Sequence, residues 1–264
     1  MLHYAWSIRL IVLFFFLVNT SFTKLNISRN GVKTIVIDAG HGGHDAGCVS
    51  GKVTEKQVAL SIALKLGKIF KEHMPEVNVI FTRKDDTFVE LWERASIANK
   101  NNADIFLSIH CNASSVKTVH GTETYAMSSS KNEDHLDVAK RENSVILLEE
   151  DYEENYQGFD PTSPEGHILF SLYQNAYVEQ SVHLASKIEH QFANRVNRKS
   201  RGVKQAGFVV LWKTTMPAVL IETGFLTNDA EMRFLTSDLG QTYIASGIYR
   251  AVKDFKKDIE RKSK

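Results

Sequence analysis

The stretch from Thr34 to Gly43 constrains the fold most, because a short apolar run stops abruptly at an acid, a histidine and several glycines. Residues 35–37 are β-branched, and the run is too short for an independent helix, so it predicts a buried strand. The glycines that follow favour a turn directly after that strand. Open α/β sheets bind their ligands at the carboxyl edge, where a buried strand delivers its last residues. We therefore predict that His41 lies at this edge and binds a metal ion.

Two other apolar runs end in the same way. Residues 104–110 read Asp-Ile-Phe-Leu-Ser-Ile-His, and residues 218–222 read Ala-Val-Leu-Ile-Glu. The carboxyl ends of neighbouring parallel strands converge, so we expect His41, His110 and Glu222 to share one crevice. Helical patterns separate these strands along a chain of 264 residues, which is long enough to bury a substantial core. We predict a three-layer α/β fold in which helices flank a mostly parallel or mixed sheet.

The helix predicted after the first glycine-rich loop carries an acid at its start. Residues 54–57, Thr-Glu-Lys-Gln, have a capping-box pattern, and Val58 and Ile62 follow at helical spacing. Glu55 precedes Val58 by three residues, so it lies at the edge of the core and needs a cation or hydrogen-bond donors. The pattern alone favours the simpler alternative, a carboxylate stabilised by the helix N-terminus.

His41, Glu55 and His110 together make a set of two imidazoles and one carboxylate. This is the ligand set of a catalytic zinc ion that leaves its fourth position to water. Glu222 is then the candidate for proton transfer to and from that water. Taken singly, a histidine at a strand end is more often structural than metal-bound. The sequence has no His-Glu-x-x-His motif, no complete P-loop and no Gly-x-Ser-x-Gly elbow, so the competing chemistries have little support.

The remaining periodic segments predict further elements. Strands are expected at residues 77–82, at residues 121–127 as an edge strand, and at residues 207–212. Helices are expected at residues 89–99, 165–196, 231–235 and 244–255. Two cysteines, Cys48 and Cys111, are too few for a disulfide framework, so we expect buried small residues rather than a disulfide between them.

The segment from residue 131 to residue 160 differs from the rest, because it holds ten acids and three bases. Leu136, Ala139, Asn143 and Ile146 indicate a partly amphipathic helix within it. We interpret residues 128–180 as an insertion on the domain. A solvated acidic face is the default explanation for such a charge run.

The N-terminus predicts export. Arg9 precedes an apolar run at residues 10–18, and mostly small and polar residues follow. This pattern is typical of a secretory signal peptide, which we assign to residues 1–23, leaving residues 24–264 as the catalytic domain. A short N-terminal anchor is the alternative. We therefore expect a periplasmic or secreted protein.

The bulk charge excludes one class of partner. Lys and Arg number 32 against 31 Asp and Glu, so no basic excess favours nucleic acid. Any partner must instead be recognised locally, and we expect the chain to be a monomer.

Four motifs in order resemble the zinc-dependent N-acetylmuramoyl-L-alanine amidases of bacteria, the type with a phosphorylase/hydrolase-like fold. They are Val36–Gly43, Glu55, Ser108–Ala113 and Leu220–Asn228, and the resemblance runs from about residue 33 to residue 256. It implies that His41, Glu55 and His110 bind Zn²⁺ and that Glu222 is the catalytic glutamate. It also implies a substrate, the amide between N-acetylmuramic acid and L-alanine of the peptidoglycan stem peptide. A non-catalytic peptidoglycan-binding module and a zinc peptidase are the alternatives.

The resemblance also suggests roles outside the four motifs. Some cell-division amidases of this type carry an inserted helical segment whose glutamate blocks the zinc until an activator protein binds. By this likeness Glu149, Glu150, Glu153 or Glu154 could block the site.

Histidines that bind metal usually donate their other N–H to a partner, and Asp38 and Asn112 are possible partners. Strand-end capping is the alternative role for both.

Overall fold

Six strands form one mixed sheet in the computed structural model, which describes residues 31–128, 133–161, 163, 166 and 176–262. The strands of the large sheet are β1 (Thr34–Ala39), β4 (Asn78–Phe81), β5 (Ile105–Asn112), β6 (Thr122–Met127), β7 (Ser200–Ala206) and β8 (Ala218–Phe225). A separate hairpin joins β2 (Val49–Ser50) to β3 (Val53–Thr54). The predicted signal peptide and the predicted start of a helix at residue 165 lie outside the described residues.

The strand order is β4-β1-β5-β8-β6-β7. Neighbours are parallel except β6 and β8, which run antiparallel. In consequence β1, β5 and β8 are adjacent and point the same way, so their carboxyl ends meet at one edge of the sheet.

Helices cover both faces of the sheet. They are α1 (Glu55–His73), α2 (Leu91–Lys100), α3 (Glu133–Asn143), α4 (Tyr152–Asn155), α5 (Val178–Arg195), α6 (Val209–Trp212), α7 (Asp229–Thr236) and α8 (Asp238–Lys262), with a 3₁₀ helix at Ser144–Leu148. No helix among the described residues combines the length and the apolar character that a membrane span requires.

Side-chain alternation along the buried strands divides the core into two layers. On β1, Ile35 and Ile37 pack in one apolar cluster with side chains of α1, α5 and α8. Val36 faces the opposite way and packs with side chains of α2, α6 and the 3₁₀ helix. Strands buried on both faces read as continuous apolar runs, which is why the sequence reveals them. The predicted three-layer α/β fold is confirmed.

Several predicted elements are wrong in detail. Residues 207–212 were expected as a strand, but residues 209–212 form the short helix α6. The strand in this part of the chain is β7, whose polar residues gave no apolar signal. As a result β6 is not an edge strand, because it lies between β8 and β7.

The start of α1 also differs from its prediction. Thr54 occupies the N-cap position, but its hydroxyl forms no capping hydrogen bond and has no partner among the described residues. The capping-box prediction is therefore wrong. The Glu55 side chain turns instead into the interior, where it is fully buried.

Candidate metal centre

His41 reaches the carboxyl edge of the sheet through an unusual backbone conformation. It follows β1 after Gly40, and its φ of 61° lies in the left-handed region, which is uncommon for a residue with a side chain. Gly40 makes room beside it, because a Cβ at this position would lie 2.4 Å from Cε1 of His110. His41 Nδ1 and Asp45 Oδ2 are 2.7 Å apart, so Asp45 orients the ring and leaves Nε2 free to face the site.

Glu55 is held by backbone donors. Its Oε1 accepts a hydrogen bond from the Cys111 N–H at 2.8 Å, and its Oε2 accepts one from the Cys48 N–H at 2.9 Å. Gly47 allows this approach, since a Cβ there would lie 2.7 Å from Glu55 Oε2. Burial alone would raise the pKa of Glu55, but the positive charge of His41 and the side-chain hydrogen bonds with His110 and His41 hold it below its ordinary value.

His110 lies on β5, and the parallel register places it opposite Glu222 on β8. Its Nδ1 is 3.1 Å from Glu55 Oε1, and His41 Nε2 is 3.0 Å from the same oxygen. Burial by itself would lower the pKa of His110, but the neighbouring carboxylates of Glu142 and Glu55 raise it to about 9.

Glu142, at the end of α3, is a member of the cluster that sequence reasoning missed. Its Oε2 lies 3.0 Å from His110 Nδ1 and 3.3 Å from His41 Nε2, and the side chain is almost fully buried. A signal was available in the helical period. Val138, Ala139 and Ile146 face the core, and Glu142 falls on the same stripe.

The four glutamates expected to block the site lie elsewhere, so that expectation is corrected. Glu149 accepts hydrogen bonds from the Leu91 N–H and the Tyr156 hydroxyl. Glu150, Glu153 and Glu154 are exposed to solvent. Their density in the sequence reflects a solvated face, whereas the acid at the centre comes from the preceding helix.

The four side chains converge as metal ligands do. One donor atom from each of His41, Glu55, His110 and Glu142 lies within 4.8 Å of every other. The measured separations of 3.0–3.3 Å are close to the distance of about 3.3 Å between ligands of a tetrahedral zinc ion. His41 Nε2 and Glu142 Oε2 form no hydrogen bond with any described residue although both are buried. Two nitrogens and two carboxylate oxygens aimed at one point fit a metal ion.

Glu222 lies beside this cluster and is fully buried. Neither of its carboxylate oxygens has a hydrogen-bond partner among the described residues, and the nearest cation is Arg141, whose Nη2 is 3.5 Å from Oε1. Burial and the negative charge of Glu142 raise the pKa of Glu222 well above its ordinary value. A buried carboxyl group whose pKa is raised suits general acid–base chemistry.

Asp38 and Asn112 do not contact the histidine rings as we expected. Asp38 accepts hydrogen bonds from Arg94 Nη1 and from the hydroxyls of Ser108 and Thr82. Asn112 donates to Glu123 and accepts from its own neighbour Ala113. Asn112 Oδ1 also accepts from Arg141 Nη2 at 3.1 Å. Both residues therefore hydrogen-bond to neighbouring strands and helices and not to the histidine rings.

Both cysteines are free thiols, in agreement with the sequence-based expectation. Cys111 is buried and packs on the side of β5 that faces α1, away from the direction of His110. Cys48 is partly exposed, and its backbone N–H serves the site through Glu55.

The fold and the site together define a class, that of α/β proteins that can hold a metal ion at the carboxyl edge of a mostly parallel sheet. Residues 35–254 match the N-acetylmuramoyl-L-alanine amidase family. The chain belongs to this family, as predicted, and is an amidase.

Individual relatives agree with this assignment. The chain is 33% identical over 227 residues to N-acetylmuramoyl-L-alanine amidase AmiA of Escherichia coli K12, covering 84% of this chain and 75% of AmiA. The crystal structure of N-acetylmuramoyl-L-alanine amidase from Clostridium difficile 630 superposes with a TM-score of 0.64 at 28% identity, covering 85% of this chain and 97% of that one. The CwlD amidase from Clostridioides difficile, solved in complex with the GerS lipoprotein, gives 0.62 at 25% identity, covering 84% and 98%.

Proposed function

We propose that this amidase binds one zinc ion through His41, Glu55 and His110 and cleaves peptidoglycan with Glu222 as its catalytic acid and base. The bond cleaved is the amide between the lactyl group of N-acetylmuramic acid and L-alanine of the stem peptide. The observation that carries the proposal is the convergence of three buried ligand atoms beside an unpaired buried carboxyl group.

The chemistry divides between the ion and the chain. When bound, zinc supplies Lewis-acid polarisation and lowers the pKa of a coordinated water molecule to about 7. Glu222 accepts a proton from the attacking water at one carboxylate oxygen and delivers it to the nitrogen of the departing L-alanine. Asp45 keeps the His41 ring in position, and the Cys48 and Cys111 N–H groups keep the Glu55 carboxylate in position.

The test combines metal analysis with product identification on purified sacculi. We expect Glu222→Gln to lose about a hundredfold to ten-thousandfold in turnover, the usual contribution of general acid–base catalysis, while zinc stays near one per chain. His110→Ala should lose both zinc and activity. Products with a free muramic acid carboxyl group and an intact stem peptide identify an amidase. Cleavage inside the stem peptide would point to a zinc peptidase, and no cleavage by the zinc-loaded Glu142→Ala variant would point to a binding module.

We further propose that Glu142 blocks the site in the state described here. Its carboxylate occupies the position next to both histidines that a water molecule and the substrate carbonyl need. Together with burial, its negative charge also raises the pKa of Glu222. A partner protein that draws α3 away would remove Glu142 from the two histidines and from Glu222. The complex of the relative CwlD with the GerS lipoprotein is a precedent for an amidase of this fold that binds another protein.

The cellular setting that we propose is the periplasm or the exterior, in cell-wall remodelling or daughter-cell separation. Support comes from the pattern of a signal peptide in residues 1–23 and from the location of the polymer it would cleave. N-terminal sequencing of the chain recovered from the cell envelope should begin near residue 24. A chain that retains Met1 and sediments with the membrane would indicate an anchor instead.

A further inference from the structure

A polar cavity of about 380 Å³ is lined by Glu123, the cross-strand neighbour of Glu222, and is not used by the chemistry described so far. Its position follows from strand register. Glu123 on β6 pairs with Glu222 on β8, and Glu222 pairs with His110 on β5. Residues that pair across strands project from the same face, so these three side chains lie in one row. The row runs from His110 through Glu222 to Glu123, and the cavity lies at the end of this row that is nearer to β7.

Two cations on β7 line this cavity and share one carboxylate. Arg201 Nε donates to Glu123 Oε1 at 2.5 Å, and Lys204 Nζ donates to the same oxygen at 2.7 Å. The other oxygen, Oε2, accepts from the hydroxyl of Tyr125 at 2.8 Å and from Asn112 Nδ2 at 2.9 Å. Glu123 is thus fully engaged and holds both cations in place.

The charge balance at this end of the cavity is positive. Glu123 carries one negative charge and is 2% exposed, whereas Arg201 and Lys204 carry two positive charges and have side chains that are 31% and 13% exposed. The second acid that lines the cavity, Asp137, belongs to α3 and is exposed. Arg201 and Lys204 together carry one more positive charge than Glu123 neutralises, so this end of the cavity favours an anion.

The reaction decides which part of the substrate reaches this place. Glu222 delivers its proton to the nitrogen of the departing L-alanine, so the peptide attached to that nitrogen leaves on the side of Glu222. The cavity with Arg201 and Lys204 adjoins that side. Because both cations lie on a strand of the sheet, they stay in place when α3 is displaced.

We propose that Arg201 and Lys204 bind carboxylate groups of the departing stem peptide and so make the amidase selective for acidic peptides. The inference rests on the proposed function and adds a determinant of specificity to it. Arg201 has terminal guanidinium nitrogens that can donate to a carboxylate in addition to its Nε bond with Glu123. Lys204 has three donors, of which Glu123 takes one.

The experiment compares two soluble substrates, muramoyl-L-alanyl-D-glutamate and the same compound with both carboxylates converted to carboxamides. It is run with the Glu142→Ala background so that the site is open. We expect the acidic substrate to have a kcat/KM about tenfold higher, because hydrogen bonds to charged groups are stronger than those between neutral groups, and the difference should appear mainly in KM. Arg201→Gln and Lys204→Gln should each reduce this preference at least about threefold and should leave the amide substrate unaffected, while Arg201→Lys should retain most of it.

Lys199→Gln is the matched control, because Lys199 is an exposed cation two residues from Arg201 and does not line the cavity. Each single variant leaves one cation on Glu123, so the fold is preserved, and unchanged zinc content and far-UV circular dichroism verify this. Equal kcat/KM for both substrates in the parent enzyme would overturn the proposal, as would an undiminished preference in both variants. In either case cleavage of both substrates leaves the proposed function intact, whereas cleavage of neither refutes the proposed function itself.

Discussion

Arg94 shows how a residue outside the candidate metal-binding cluster helps to determine where His41 lies. It is one of the largest fully buried side chains, and its guanidinium donates to Asp38 Oδ1, to the Ala39 carbonyl and to the His41 carbonyl at 2.8–2.9 Å. Its Nε donates to the Val89 carbonyl. The left-handed backbone of His41 is thereby held by tertiary hydrogen bonds, which is how uncommon conformations persist at functional sites.

The first prediction concerns stability at this residue. Arg94→Met should lower the free energy of unfolding by about 3–5 kcal/mol, because it leaves the buried Asp38 carboxylate without its cation. Lys100→Met is the matched control on the same helix; Lys100 is exposed, and its loss should change stability by less than about 0.5 kcal/mol. Urea denaturation of the metal-loaded proteins measures both. Equal midpoints for the two variants would contradict the role of Arg94.

The second prediction concerns the orientation of the His41 ring. Asp45→Asn should weaken zinc binding about 10–100-fold, the usual loss when the hydrogen-bond partner of a metal-binding histidine is changed. Asp86→Asn provides the comparison, because Asp86 contacts the Gly43 N–H of the same loop and not His41. Competition with a chromophoric chelator gives both affinities. Similar losses in the two variants would indicate general disturbance of the loop.

At the scale of elements, α3 is the helix on which regulation is proposed to depend. It brings Glu142 to the two histidines and places Arg141 beside Glu222. Asn143, the last residue of the helix, donates to the Gly207 carbonyl and accepts from the Val209 N–H, so it fixes the helix end against α6. The Glu142 carboxylate is thus positioned by packing and by hydrogen bonds at the end of its own helix.

The third prediction tests this arrangement. Glu142→Ala should raise basal hydrolysis of sacculi at least about tenfold in the absence of any partner protein, since it removes the buried carboxylate that lies next to His41 Nε2 and His110 Nδ1. Glu150→Ala, which removes an exposed acid from the same segment, should leave the basal rate unchanged. Dye release from labelled sacculi measures the rates. An unchanged rate in Glu142→Ala would refute the blocking role.

The outcome for α3 shows where sequence reasoning reaches its limit. His41, His110 and Glu222 could be placed at one edge because each follows or ends an apolar run and parallel strands converge, although β5 continues to Asn112 and β8 to Phe225. Among the ten acids in residues 131–160, the helical period could place Glu142 on the buried face, but it could not show that Glu142 contacts His41 and His110, because helical period specifies a face and not a distant contact. Strand β7 was missed for a related reason, since its residues are mostly half-buried and polar.

At the scale of the whole molecule, the candidate metal-binding cluster joins segments that are far apart in the chain. Its four residues come from β5, from α3, from the start of α1 and from the loop after β1. A bound ion would cross-link these segments and add its binding free energy to the stability of the fold.

The fourth prediction concerns removal of the metal and its dependence on pH. In the metal-free chain the pKa of His110 is raised from 6.5 to about 9, so the folded state holds a proton more tightly than the unfolded state. This stabilisation is complete below pH 6.5 and is lost as the pH rises to about 9. With chelator present, the urea midpoint should therefore fall between pH 6.5 and pH 9. The zinc-loaded protein serves as the control, and the same fall with zinc bound would contradict the assignment of His110 as a ligand.

Because Arg141 and Glu142 are consecutive, withdrawing their helix removes a cation and an anion from the surroundings of Glu222, whereas truncating one side chain removes only one charge. The Glu142 charge raises the pKa of Glu222 and the Arg141 charge lowers it. Helix withdrawal takes away both influences, which act in opposite directions on the pKa of Glu222. Glu142→Ala takes away only the anion and leaves the cation to acidify its neighbour. The acid limb of the pH–rate profile should therefore lie at higher pH for the wild-type enzyme activated by a partner than for Glu142→Ala.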